Sequence, residues 1–160
     1  LIPGTMITVN PYFKKELPKG TPAIQPVDFL NGCGILIRRD VFEKVGLWET
    51  RFFMYGDEVD FRFRTHRMNY KMACVTTAKM WHKVSAIMKQ MPAKTRYYRT
   101  RNQVWIYRKY ATGLQYPMML LFTMGRAAVI SLKDLVLGHK DVAFAIWRGW
   151  WDGWMKERGI

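Results

Sequence analysis

From about residue 93 to its end the sequence carries only helical patterning, and the β-forming runs before it are too few to close a sheet. Residues 1–26 are rich in Pro, Gly and Lys and read as an extended connection or loop. Val27–Arg38 alternates and holds β-formers, with Gly32 and Gly34 permitting close backbone approach, so it reads as a strand. Asp40 is placed to cap a short helix, Val41–Val45, that Gly46 ends. An aromatic loop, Leu47–Tyr55, leads to a helix that opens at Gly56 or Asp57 and runs to about Met68, with Val59, Phe63 and His66 on its inner face. Tyr70–His82 reads as a strand or strand pair, and Lys83–Pro92 as a polar loop. Helices follow over about 93–110, 117–137 and 140–158, Pro117 sitting in an allowed first turn. The class is α/β with a helical tail, divided at 1–92 and 93–160, and the short α/β part implies further strands upstream.

The charge is as uneven as the periodicity. Of 26 Lys and Arg against 12 Asp and Glu, fifteen fall between Phe61 and Lys133, where there is no acid at all. Such a field bears on partners rather than on fold. A solvated basic surface, a phosphate-bearing substrate, an anionic lipid surface and a nucleic acid all suit it. No zinc-finger or aromatic RNA-binding signature is present, so nucleic acid is not expected. Cys33 and Cys74 match no metal spacing and sit in apolar runs, which points to buried, reduced thiols and a cytosolic setting. The uncharged run Ala111–Gly125 is short of the ~20 apolar residues of a membrane span. In the last helix Ala143, Trp147, Trp150, Trp151 and Trp154 keep helical spacing, with Asp141, Arg148, Asp152 and Lys156 opposite. That stripe can pack on the α/β body, dock another subunit in a homo-oligomer, or lie in a bilayer interface on the cytoplasmic face.

Three carboxylates, Asp57, Glu58 and Asp60, open the helix that starts at Gly56 or Asp57, after an apolar wall of Phe52, Phe53, Met54 and Tyr55. Acids in a first turn are favoured by the helix dipole, and Asp60–Arg64 and Glu58–Arg62 are spaced for pairing at i,i+4. A carboxylate at such a junction, partly kept from water, is also what a general base requires. If Asp60 is held by Arg64, then Asp57 and Glu58 remain for chemistry. His82 follows Trp81 at a strand end and becomes a metal ligand only if carboxylates converge on it. His66 reads as core and His139 as solvated. On the next helix Tyr97, Arg101 and Trp105 share a face, within a patch that includes Tyr98 and Asn102. Arginine there suits bidentate phosphate contact.

In order, the segments Asn31-Gly32-Cys33-Gly34, Ile37–Phe42, Val45-Gly46-Leu47, Phe52–Phe61 with Arg64, Trp81-His82, Tyr97-Tyr98, Arg101-Asn102 and Arg148–Gly153 resemble inverting family-2 glycosyltransferases of the GT-A fold. Rhamnosyl- and galactofuranosyltransferase-like members are the nearest in pattern. The resemblance runs from about Val27 to the end. It implies the C-terminal, acceptor-side part of a GT-A domain followed by a helical region. It also implies a nucleotide-sugar donor, a glycan or lipid-diphosphate-linked acceptor, and a divalent cation, Mn²⁺ or Mg²⁺. The family's acidic pair is usually Glu-Asp with the second residue as base. Here it is Asp57-Glu58, which makes Glu58 the base and Asp57 a supporting or acceptor-binding residue. His82 matches the metal-ligand histidine, and Gly32, Tyr97, Arg101 and Asn102 match substrate-binding positions. Glu58-Val59-Asp60 is not the family's metal-binding Asp-x-Asp, which is expected upstream, so the chain by itself is not expected to turn over. A non-enzymatic basic module that binds nucleic acid or anionic membrane is the rival reading.

Overall fold

A computed structural model describes residues 15–83 and 88–156. Two compact units emerge, residues 1–49 with 58–82 and residues 50–57 with 83–160. The loop after residue 49 thus groups with the helices that come later in the chain.

In the first unit, strand β1 (Ile24–Val27) pairs antiparallel with β2 (Met72–Val75), Ile24 opposite Val75 and Val27 opposite Met72. Thr76 prolongs the pairing through its N–H to the Ala23 carbonyl and its hydroxyl to the Pro22 carbonyl. The expected strand over 27–38 does not form. Pairing stops at Val27, and two glycines within three residues weaken the extension of the strand. Likewise only four residues of Tyr70–His82 are strand. Both cysteines are exposed, not buried, because neither lies in a covered strand: Cys33 sits in the irregular stretch and Cys74 on an open side of β2.

Helix α1 spans Arg39–Val45 and ends as expected at Gly46, whose φ of 88° suits glycine and whose N–H returns to the Phe42 carbonyl. Asp40 lies inside the first turn and does not cap it. Its carboxylate is instead held by the Arg38 guanidinium at 2.8 and 2.5 Å. Helix α2 (Asp57–Arg67) buries Asp60, Phe61 and Thr65, not Val59, Phe63 and His66. The inner face is rotated because Phe61 stacks on Trp48 at 4.6 Å and meets Phe42 at 5.6 Å, which leaves His66 exposed. Asp60, fully buried, is paired with Arg64 at 2.9 Å as its spacing predicts. The same guanidinium donates to the carbonyls of Val45 and Leu47, tying α2 to the end of α1.

The second unit is built on α3 (Pro92–Tyr110), α4 (Gln115–Val136) and α5 (Lys140–Met155), each within a few residues of its sequence-predicted span. Pro92 takes the first helical position, where its missing N–H costs nothing. The core is formed by Val104, Ile106 and Tyr107 of α3, Met119 and Ala127 of α4, and Val142, Ala143 and Ile146 of α5.

The buried stripe of α5 coincides with the tryptophan stripe only in part: Ala143 is buried, and Trp150 and Trp154 are half-buried, Trp150 donating to the Thr123 hydroxyl at 3.2 Å. Ile146, Gly149, Asp152 and Gly153 face inward, and Trp147 and Trp151 are exposed. Backbone contact explains the choice. A Cβ on Gly149 would lie 2.5 Å from the Tyr97 carbonyl oxygen, and one on Gly153 would lie 2.7 Å from the Val104 Cβ. Only glycine lets α3 and α5 approach this closely. Gly149→Ala is therefore expected to cost about 1–3 kcal/mol, or roughly 3–10 °C of thermal midpoint. A scan of the variant against the parent by circular dichroism reads this directly.

Asp152, also expected outside, is buried where Tyr97 donates its hydroxyl at 2.7 Å and Lys156 its ammonium at 2.9 Å. Burial opposes its charge, but those two hydrogen bonds and the charges of Lys156 and Arg148 outweigh it and hold the carboxyl below its ordinary range. Burial, then the bond to Asp152, raises the Tyr97 phenol. A depressed folded pKa gives stability that is present above the unfolded value of about 3.9 and is lost as pH falls through the folded one. Denaturant titrations below about pH 4 should show the helical unit weakening. Asp152→Asn should be weaker at neutral pH yet lose less on acidification.

Candidate active site

Each sequence-predicted site residue can be located, and they fall in two groups. In the first unit Glu58 occupies the first turn of α2, where the helix dipole favours an acid. Its Oε1 accepts the Gly32 N–H at 3.3 Å. A Cβ on Gly32 would stand 2.8 Å from that oxygen, so glycine is what allows the carboxylate to reach the backbone here. The close approach expected of Gly32 is present, although it is made from irregular chain and not from a strand.

Glu58 also borders a cavity of about 390 Å³ with apolar walls that include Leu30, Ile37, Trp48 and Phe61. Arg38, Arg62 and Lys71 line the same cavity. A carboxylate beside an apolar wall with cations at hand can take a proton from a hydroxyl while the cations meet negative charge. Arg62 donates to the Asp28 carbonyl at 2.9 Å. His82 is exposed and lies outside regular structure. Among the described residues no three His, Cys, Asp or Glu side chains are grouped to hold a metal ion. A Mn²⁺ or Mg²⁺ site is therefore not formed by these residues, and His82 offers one imidazole ligand at most.

The second group lies in the helical unit. Arg101 places its guanidinium 4.1 Å from the Trp105 ring and 4.7 and 5.6 Å from Tyr98 and Tyr97, the shared face that the spacing predicts. Its terminal nitrogen donates to the Arg51 and Phe52 carbonyls, and its Nε to Asn102. Asn102, 1% exposed, directs its amide at the carbonyls of Phe52, Met54 and Tyr55 at 2.7–2.8 Å. Its two N–H bonds are shared among three acceptors that belong to one loop.

That loop needs holding. Phe53 and Tyr55 have φ of 59° and 65°, a region L-residues avoid, and Gly56 follows at 95°. A Cβ on Gly56 would meet the Ile106 Cδ1 at 3.0 Å. Phe53 rests on Tyr98, and the Arg99 guanidinium covers Tyr55 at 4.7 Å. The loop then delivers Asp57, half-buried, as the first residue of α2. Sequence reasoning did not find that Asn102 and Arg101 bind this loop's backbone. The only trace in the sequence is an Arg-Asn pair inside a helix, with no marker of its partner.

Comparison with known proteins bears on this geometry. The chain is 34% identical over 61 residues to the N-acetylglucosaminyl-diphospho-decaprenol L-rhamnosyltransferase of two Mycobacterium tuberculosis strains, a stretch covering 38% of this chain and 20% of the relative. It is 38% identical over 53 residues to the low-salt glycan biosynthesis hexosyltransferase Agl10 of Haloferax volcanii, covering 33% of this chain and 17% of that protein. The aligned stretches are thus about a fifth of those relatives' length. No family model matches the chain, and no solved structure does. At a coarse level the similarity is to sugar-transferring enzymes.

Proposed function

We propose that this chain is the acceptor-side part of an inverting glycosyltransferase that uses a nucleotide-sugar donor and builds cell-surface polysaccharide on a glycan or lipid-diphosphate-linked acceptor. The observation that carries the proposal is Glu58, set in the first turn of α2 against Gly32 and bordering an apolar cavity with cations. The two partial relatives, both named as sugar transferases, support the same reading.

Glu58 removes the proton from an acceptor hydroxyl. The oxygen bonds to the anomeric carbon of the donor sugar as the bond to the nucleoside diphosphate breaks on the opposite face, inverting that carbon. Asp57 supports the base. Arg101 and Asn102 act by fixing the loop that leads into Asp57, a positioning role, while Tyr97 flanks the Arg101 guanidinium and donates to Asp152. His82 would be this chain's one ligand to a divalent cation, whose charge would offset that of the leaving diphosphate.

A non-enzymatic basic module accounts for the charge but not for a carboxylate held at a cavity. The test follows nucleoside diphosphate release by the full-length protein from a panel of sugar nucleotides, with Mn²⁺ or Mg²⁺ and lipid-linked acceptors. Release that requires acceptor supports transfer. Absence of release from every donor and acceptor would favour the module.

A further inference from the structure

We propose that the outward faces of α4 and α5 form a docking surface for an anionic lipid bilayer, on which these two helices lie without crossing. The inference does not rest on the transfer chemistry. Helix α4 is apolar on two sides. One packs in the helical unit through Met119, Thr123, Ala127 and Ser131. The other exposes Met118, Leu121, Phe122, Val129, Leu132 and Val136, spaced as one stripe along nearly the whole helix. Val129 and Val136 are 71% and 79% exposed. At 22 residues the helix is about 33 Å long. Helix α5 repeats the pattern with Phe144, Trp147, Trp151 and Met155 exposed. A soluble surface does not carry two such stripes without an occupant.

Charge identifies the occupant. Residues 92–155 hold ten Lys and Arg against three Asp. Two of those acids, Asp134 and Asp152, are buried beside Arg96 and Lys156. Outside, Lys133 on α4 and Lys140 and Arg148 on α5 are exposed, against Asp141 as the one exposed acid of α3 to α5. Apolar residues with tryptophan beside Lys and Arg match an anionic membrane interface, where each cation near the surface contributes roughly 1 kcal/mol. A second copy would bring the same cations against each other. A nucleic acid would leave the apolar stripes in water. No described helix is long and apolar enough to cross a membrane.

The experiment is co-sedimentation of the full-length protein with vesicles of phosphatidylcholine alone or mixed with phosphatidylglycerol. Brominated lipid serves to quench tryptophan, and light scattering gives the oligomeric state. Binding is expected only with phosphatidylglycerol, weakening with salt. The exposed pair Val129→Glu and Leu132→Glu should lower it on the order of tenfold or more, with the circular dichroism spectrum unchanged. Lys133→Gln with Lys140→Gln, which leaves the apolar faces intact, should lower it severalfold. No binding to anionic vesicles, equal binding to neutral ones, or binding that both variants leave untouched overturns the proposal. So does a stable dimer that Val129→Glu and Leu132→Glu dissociate.

Discussion

Glu58→Gln in the full-length protein is expected to cut the acceptor-dependent release of nucleoside diphosphate by about 100- to 10,000-fold, the range spanned by a positioned general base. The substitution is chosen for what it keeps. Glutamine retains an oxygen that can accept the Gly32 N–H at the 3.3 Å position and fills the same volume beside the cavity. Folding should survive, and thermal unfolding of the variant should track the parent. Donor KM should change little, since proton removal belongs to the transition state and not to donor binding. Release at the parent rate in a folded variant would remove Glu58 as base and make Asp57→Asn the next substitution. A rise in acceptor KM alone, with kcat intact, would assign Glu58 to acceptor binding.

How far the sequence announces this arrangement depends on the range of the forces involved. Helix spans α3, α4 and α5 are legible because periodicity and a first-turn proline are short-range signals. The Asp60–Arg64 pair is legible for the same reason, being four residues apart on one helix. The face that α2 buries is not. It is set by Trp48 and Phe42 meeting Phe61, and these come from chain segments with no periodic signal of their own. Strand extent is hidden likewise, since four residues of β1 find partners in a run nearly fifty positions away. On α5 the sequence shows large tryptophans at helical spacing and suggests that they pack. Trp150 and Trp154 do, but the backbone approach at Gly149 and Gly153 leaves Trp147 and Trp151 outward, and a hydrophobicity pattern does not weigh the absence of a side chain. Glu58 and Gly32 were singled out separately, one for its acid cluster and one for its backbone freedom. Their contact needed the fold.

The same limit applies to Asn102, where the second large effect is expected. Asn102→Ala removes the donor shared by the Phe52, Met54 and Tyr55 carbonyls. A buried acceptor left without a partner costs about 1–3 kcal/mol. The three do not add in full. Met54 and Tyr55 are only half-buried, so water can replace part of the loss, whereas the bond to Phe52 is buried. Relaxation also has a gain, because Phe53 and Tyr55 can leave their positive φ values once the clamp is gone. The net expectation is a loss of about 2–3 kcal/mol, or roughly 5–10 °C in thermal midpoint, with hydrogen exchange rising across residues 50–57. Activity should fall with it, since that loop ends at Asp57. Asn102→Asp separates this role from ligand contact. An ionised carboxylate facing three carbonyls should be worse than alanine at neutral pH and should recover partly as acid protonates it. Unchanged stability and exchange in both variants, with only a raised KM, would make Asn102 a substrate contact instead of the clamp on the loop.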